Sequence, residues 1–212
     1  MPSLKTPSLL RPMLPLLFAL SLASGAAYAA TATVGQAAPA FSATDASGKT
    51  VALADLKGKT VVLEWVNPEC PYVRKHYDSA NMQATQKAAR GKGVVWLSVN
   101  STHPSHYDFK KPTEMLAWTQ KQGAASSATL MDGDGKIGRA YGARTTPHMY
   151  VVDAKGTLVY AGGIDDKPSS NPADVKTAKN HVNAALADLL AGKPVVQAVT
   201  RPYGCSVKYS DG

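Results

Sequence analysis

EWVNPECPYVRKHY (residues 64–77) changes character at a single residue. Up to Val66 it continues VVLEWV (61–66), an apolar, β-branched run of the kind that fills a buried central strand. After Cys70 a proline stands where a helix begins, because the N–H that proline lacks would have no partner in a helix's first turn. From Val73 to Ala89 there is neither Gly nor Pro, and Tyr72, Val73, His76, Tyr77, Ala80, Met82 and Ala84 recur at helical spacing. The stretch predicts a strand ending in a cysteine loop that opens one long helix. CPYV is one residue away from CPYC, whose thiols would lie one helical turn apart; Val73 stands in the second place.

On the N-terminal side, two short alternating segments flank Ser47-Gly48 and predict a β-hairpin. On the C-terminal side, VVWLSVN (94–100) reads as a second buried strand. The His-, Pro- and Ser-bearing residues 101–112 read as a surface loop, and TEMLAWTQKQ (113–122) as a short helix capped by Thr113. ATLMD (128–132) is a third strand, DGDGK a turn without the glutamate of a calcium loop, and IGRAYGA (137–143) a helical piece. HMYVVD (148–153) and LVYA (158–161) flank Ala154-Lys155-Gly156 as an antiparallel hairpin. Residues 173–191 are the clearest helix, with Val175, Ala178, Val182, Ala185, Leu186, Leu189 and Leu190 on one stripe. A tail of about twenty residues carries Cys205. This order predicts an α/β domain with a mixed central sheet and helices on both faces.

Residues 1–30 read as an export signal. Lys5 and Arg11 are basic, residues 13–24 are apolar, and the small residues Ala27 and Ala29 are spaced for cleavage. The apolar run is too short to span a bilayer, so no stable membrane insertion is expected. The rest divides into one domain over residues 31–190 and a tail over 191–212. The net charge is +8, but the lysines are scattered and no basic run interleaved with aromatics occurs, which argues against nucleic acid. Export places the two cysteines, Cys70 and Cys205, in an oxidising compartment, where they allow one intramolecular disulfide at most.

Three segments, WVNPECPYV, RTTPHMYVVD and DAKGTLVYAGG, in this order and spacing resemble the active loop, cis-proline loop and terminal hairpin of the thioredoxin superfamily, specifically its exported redoxin branch. The resemblance spans roughly Val34 to Leu190. It implies a three-layer α/β/α sandwich with an N-terminal hairpin, and a monomer acting on protein or small-molecule thiols and disulfides, or on peroxide, without a cofactor. It also implies a cis Thr146-Pro147 bond opposite the cysteine, with Thr146, Pro147, Trp65 and Tyr72 contacting substrate; for Trp65, packing over the thiol and a place in the plain core both stay open. Peroxiredoxins carry proline and threonine seven and three residues before their cysteine; Leu63 and Asn67 stand there in this chain, which argues against that peroxidase chemistry.

A thiol at a helix N-terminus faces unpaired N–H groups and the positive end of the dipole, which favours the thiolate. Arg74 and Lys75 add positive charge and Glu69 opposes it, so Cys70 is expected to be an ionised nucleophile in reach of solvent. With Val73 in the loop, only Cys205 can resolve a mixed disulfide. Three readings stay open for the pair: thiol-disulfide exchange, a permanent staple, and two unrelated thiols. His76 and His148 raise a metal-chaperone alternative through Cys70, Cys205 and His148, although the loop lacks a cysteine pair and no metal ligand set is assigned; His103 and His106 read as solvated. Glu64, a carboxylate inside an apolar strand, is expected either to relay protons for Cys70 or to reach the sheet edge.

Overall fold

The computed structural model describes Met1 and residues 31–210; apart from Met1, the expected export signal lies outside the described residues. Alternation in the strands explains the layers. In β3 (Val61–Trp65), Val62 faces one side of the sheet while Val61, Leu63 and Trp65 face the other. β3 pairs in parallel with β4 (Val95–Asn100), which pairs in parallel with β5 (Ala128–Met131). On its other edge β3 is antiparallel to β7 (His148–Val152), which is antiparallel to β8 (Leu158–Gly162). The sheet order is therefore β5-β4-β3-β7-β8, mixed as expected.

One face is covered by α1 (Pro71–Asp78), α2 (Asn81–Arg90), α3 (Pro112–Lys121) and α5 (His181–Leu190), which bury Val73, Tyr77, Met82, Met115 and Leu186 against Val62, Trp96 and Val151. The other face is covered by α4 (Lys136–Tyr141) and by the N-terminal hairpin of β1 (Ser42–Thr44) and β2 (Thr50–Ala52), over Leu63, Trp65, Val99 and Tyr150. No helix among the described residues is long and apolar enough to cross a membrane.

Two expected helices are each broken. The first splits at Ser79-Ala80, where Ala80 adopts a left-handed conformation (φ 59°). Gln83 Nε2 donates to the Tyr77 carbonyl at 2.9 Å there, so tertiary packing compensates a break that no Gly or Pro announces. The last helix begins only at His181, because Asn180 caps it by accepting from the Asn183 N–H at 2.8 Å; residues Pro172–Lys176 form a separate 3-10 turn. In α3 the cap position is Lys111, not Thr113, with Pro112 in the first turn and the Glu114 carboxylate accepting from the Lys111 N–H at 2.6 Å.

The tail does not stand apart. Ala161 N–H donates to Ala198 O at 3.0 Å, and Thr200 lies against Gly162 and Gly163 at the end of β8. The tail strand β9 (Cys205–Ser206) then pairs antiparallel with β6 (Thr145–Thr146), and Tyr209 Oη donates to Ala143 O at 2.7 Å. Side chains at the two glycines would occupy the path of the tail backbone.

Candidate functional site

Cys70 sits at the N-cap of α1, where β3 ends, and Thr146-Pro147 is cis. The Cys70 thiol makes no capping bond to α1; it donates to the Thr146 carbonyl at 3.0 Å, and its sulfur lies 2.7 Å from Cys205 Sγ, 135 positions away in sequence. Cys70 is 1% exposed, which corrects the expectation of a thiol open to solvent: the tail lies across it. Register explains the meeting. Thr146 is opposite Cys205 in the β6–β9 pair, and Gly204 lets the tail backbone pass so close to Thr146 that a Cβ would overlap its carbonyl oxygen. Both cysteines line a cavity of about 360 Å³ together with Asn67, Glu69, Asp108 and Lys208.

Burial raises the Cys205 thiol, and its hydrogen bond to Cys70 and the Cys70 charge push it further, to about 12; Lys208 pulls the other way. Glu69, the acid beside Cys70, is paired with Lys110 at 2.7 Å. Asn67 ties the loop down by accepting from the Glu69 N–H at 2.9 Å and donating to Asp108 at 3.0 Å.

The other expected site residues divide. Of the two readings open for Trp65 the structure shows the core one, which follows from strand alternation and takes it away from any substrate at Cys70. It lies on the sheet face opposite Cys70, packs against Tyr141 and Tyr150, and donates from Nε1 to Ser101 at 3.0 Å. Tyr72 packs edge-on against Tyr203 of the tail, with centroids 5.9 Å apart. Arg74 is exposed and joins no ion pair among the described residues. Glu64 does not reach a sheet edge; it is fully buried and accepts from Trp96 Nε1 at 2.7 Å, Tyr77 Oη at 2.8 Å and Gln86 Nε2 at 3.0 Å, and burial raises its pKa. None of these partners is Cys70. His148 Nδ1 accepts from the Arg144 N–H at 3.3 Å and stands 3.2 Å from Tyr150 Oη, and burial lowers its pKa to about 3. No group of three His, Cys, Asp or Glu spaced to hold a metal occurs among the described residues.

Lys75, expected to add positive charge near the thiol, is buried in a polar cluster that sequence reasoning missed. Its ammonium donates to Lys167 O at 2.7 Å and to Tyr203 Oη at 3.3 Å, and pairs with Asp165 at 3.5 Å. Tyr203 Oη donates to Asp165, and His76 Nε2 stands 3.1 Å from the same phenol oxygen. Asn81 Nδ2 donates to His76 Nδ1 at 2.8 Å, which places the ring proton on Nε2 facing Tyr203. Burial holds His76 down at about 4, against the pull of Asp165. The one sequence signal was Tyr203 itself, an aromatic two positions before the tail cysteine.

A family profile described as AhpC/TSA family matches residues 34–161, a span that holds Cys70 and ends before Cys205. The Thiol:disulfide interchange protein DsbE of Yersinia pestis is 28% identical over 142 residues, covering 65% of this chain and 69% of that protein. The Thiol-disulfide oxidoreductase ResA of a Bacillus cereus strain is 30% identical over 116 residues, covering 49% of this chain and 66% of that protein. Of solved structures, an uncharacterized conserved protein from Geobacillus kaustophilus superimposes with a TM-score of 0.74 at 27% identity over 85% of this chain and 94% of its own. A hypothetical protein from Sinorhizobium meliloti 1021 superimposes with a TM-score of 0.72 at 23% identity over 86% and 98%, a likeness of fold.

Proposed function

The chain belongs to the AhpC/TSA family, and from that premise we propose that it is an exported thiol-disulfide oxidoreductase whose working pair is Cys70 and Cys205. The observation that carries this reading is the 2.7 Å approach of the two sulfurs beside the cis Thr146-Pro147 bond, with the tail thiol standing in for the second cysteine that Val73 replaces. The names of the two relatives support the reaction class. The basic and apolar pattern of residues 1–30 supports export.

The steps balance as follows. The Cys70 thiolate attacks one sulfur of a substrate disulfide, forms a mixed disulfide and releases the other half as a thiolate, which takes a proton. Cys205 then gives up its proton and attacks the Cys70 sulfur, closing the Cys70–Cys205 bond and releasing the second substrate thiol. Two electrons pass from the protein's thiols to the substrate, and two protons end on the products. The raised Cys205 orders these steps. Two of its raising influences, the hydrogen bond to Cys70 and the Cys70 charge, disappear once Cys70 is in the mixed disulfide, while Lys208 remains. Burial, the largest of the raising influences, stays, so Cys205 ionises more readily, though still against burial, once substrate is attached.

The test is trapping. Cys205→Ser treated with a small disulfide accumulates one adduct per chain, mapped to Cys70, whereas Cys70→Ser accumulates none. An adduct on neither thiol of either variant contradicts the proposal.

A further inference from the structure

Resting on the thiol-exchange reading above, the tail's position bears on which disulfides the site accepts. An extended polypeptide docks beside a cis-proline loop by pairing with the backbone of the preceding residue. Here that backbone is taken: Thr146 pairs with Cys205 and Thr145 with Ser206. Among the described residues, both sulfurs line a cavity of about 360 Å³, near the lower end for small-molecule sites, which offers a way in that needs no backbone pairing.

What holds the tail there lies two residues before Cys205. Tyr203 inserts its hydroxyl between Asp165, Lys75 and His76, all three of them 3% exposed or less. Pulling the tail out strips a carboxylate, an ammonium and an imidazole of a partner they share, in a place where desolvated groups are costly to leave unpaired. We propose that Tyr203 is a positioning and specificity-determining residue. Seated in the Asp165 cluster, it keeps Gly204 and Cys205 in the groove beside Pro147, so that the docked site takes low-molecular-weight disulfides and shuts out polypeptide disulfides. The Tyr203 hydroxyl bonds to Asp165, Lys75 and His76 rather than to either sulfur, so Tyr203 acts through Cys205.

The experiment uses the full chain, reduced, as wild type, Tyr203→Phe and Asp165→Asn. Second-order rates are measured with oxidised glutathione as the small disulfide and insulin as the polypeptide one. The wild type reacts faster with glutathione disulfide, and Tyr203→Phe, lacking one hydroxyl, lowers the glutathione-to-insulin rate ratio by at least about tenfold, mostly by raising the insulin rate. The same variant weakens the equilibrium Cys70–Cys205 bond in a glutathione buffer by a similar factor, which a residue that only stabilised the domain would leave unmoved. Asp165→Asn shifts the ratio in the same direction and serves if Tyr203→Phe does not fold. An unchanged ratio and an unchanged bond equilibrium overturn the inference and leave the thiol-exchange reading standing. A wild type inert to both substrates overturns both.

Discussion

The two halves of the site are built in contrasting ways. Cys70 is placed by local structure: a buried strand ends, a proline starts a helix, and the thiol stands between them at the helix cap. Cys205 is placed by tertiary contacts alone: a two-strand pairing with Thr145–Thr146, a glycine that lets the backbones touch, and a tyrosine latched into a buried cluster. On the proposed reading, a thiol whose loop lacks its second cysteine is thus given a partner from elsewhere in the chain, because the partner's segment is held as firmly as a helix holds its own cap.

The cysteines themselves give the largest contrast. Cys70→Ser brings disulfide reduction down to the uncatalysed background, while Cys205→Ser keeps the first step within about threefold and stops turnover at the mixed disulfide, as stopped-flow with mass analysis would show. Next comes a substitution that separates packing from chemistry. Trp65→Ala, on the sheet face away from the thiols, should cost about 3–5 kcal/mol in a urea titration and leave the Cys70–Cys205 equilibrium within a factor of two.

The tail cluster should also be sensitive to acid. His76 titrates at about 4 in the folded chain against 6.5 unfolded. Its contribution is present above pH 6.5 and is lost as pH falls toward 4, on the order of 3 kcal/mol at most. The groups facing it are Lys75, Asp165 and Tyr203. Urea midpoints from pH 7 to 4 should fall less steeply in His76→Asn than in the wild type.

Gly204→Ala should lose about 1–3 kcal/mol and loosen the Cys70–Cys205 bond, because the new methyl meets the Thr146 carbonyl. The smallest effect falls on Glu64. With its pKa raised by burial, the stability it contributes is full below about pH 4.5 and declines as pH rises through the folded value, so the wild type should gain on Glu64→Gln as pH falls.

Much of the fold was legible from periodicity. The apolar β-branched runs at 61–66, 94–100 and 148–153 gave the central strands, while the layer each residue faces was read only from the structure. The break at Ala80 was not legible, since it is compensated by Gln83 from the next helix, and the role of Trp65 stayed open because one residue of alternation decides which face a side chain takes. At the site, Cys70 and the Thr146-Pro147 turn followed from local motifs. The Asp165 cluster did not, because Lys75, His76, Asp165 and Tyr203 come from three distant segments and each alone reads as an ordinary polar or aromatic residue.

The central claim, that these two thiols exchange a bond in function, is tested most directly by equilibrating the purified chain in glutathione buffers of graded potential and mapping the cysteine peptides at each point. The account predicts a Cys70–Cys205 linked peptide that appears and disappears reversibly at a potential above about −300 mV. A bond that stays closed across the whole glutathione range, or two thiols that never join, would contradict it.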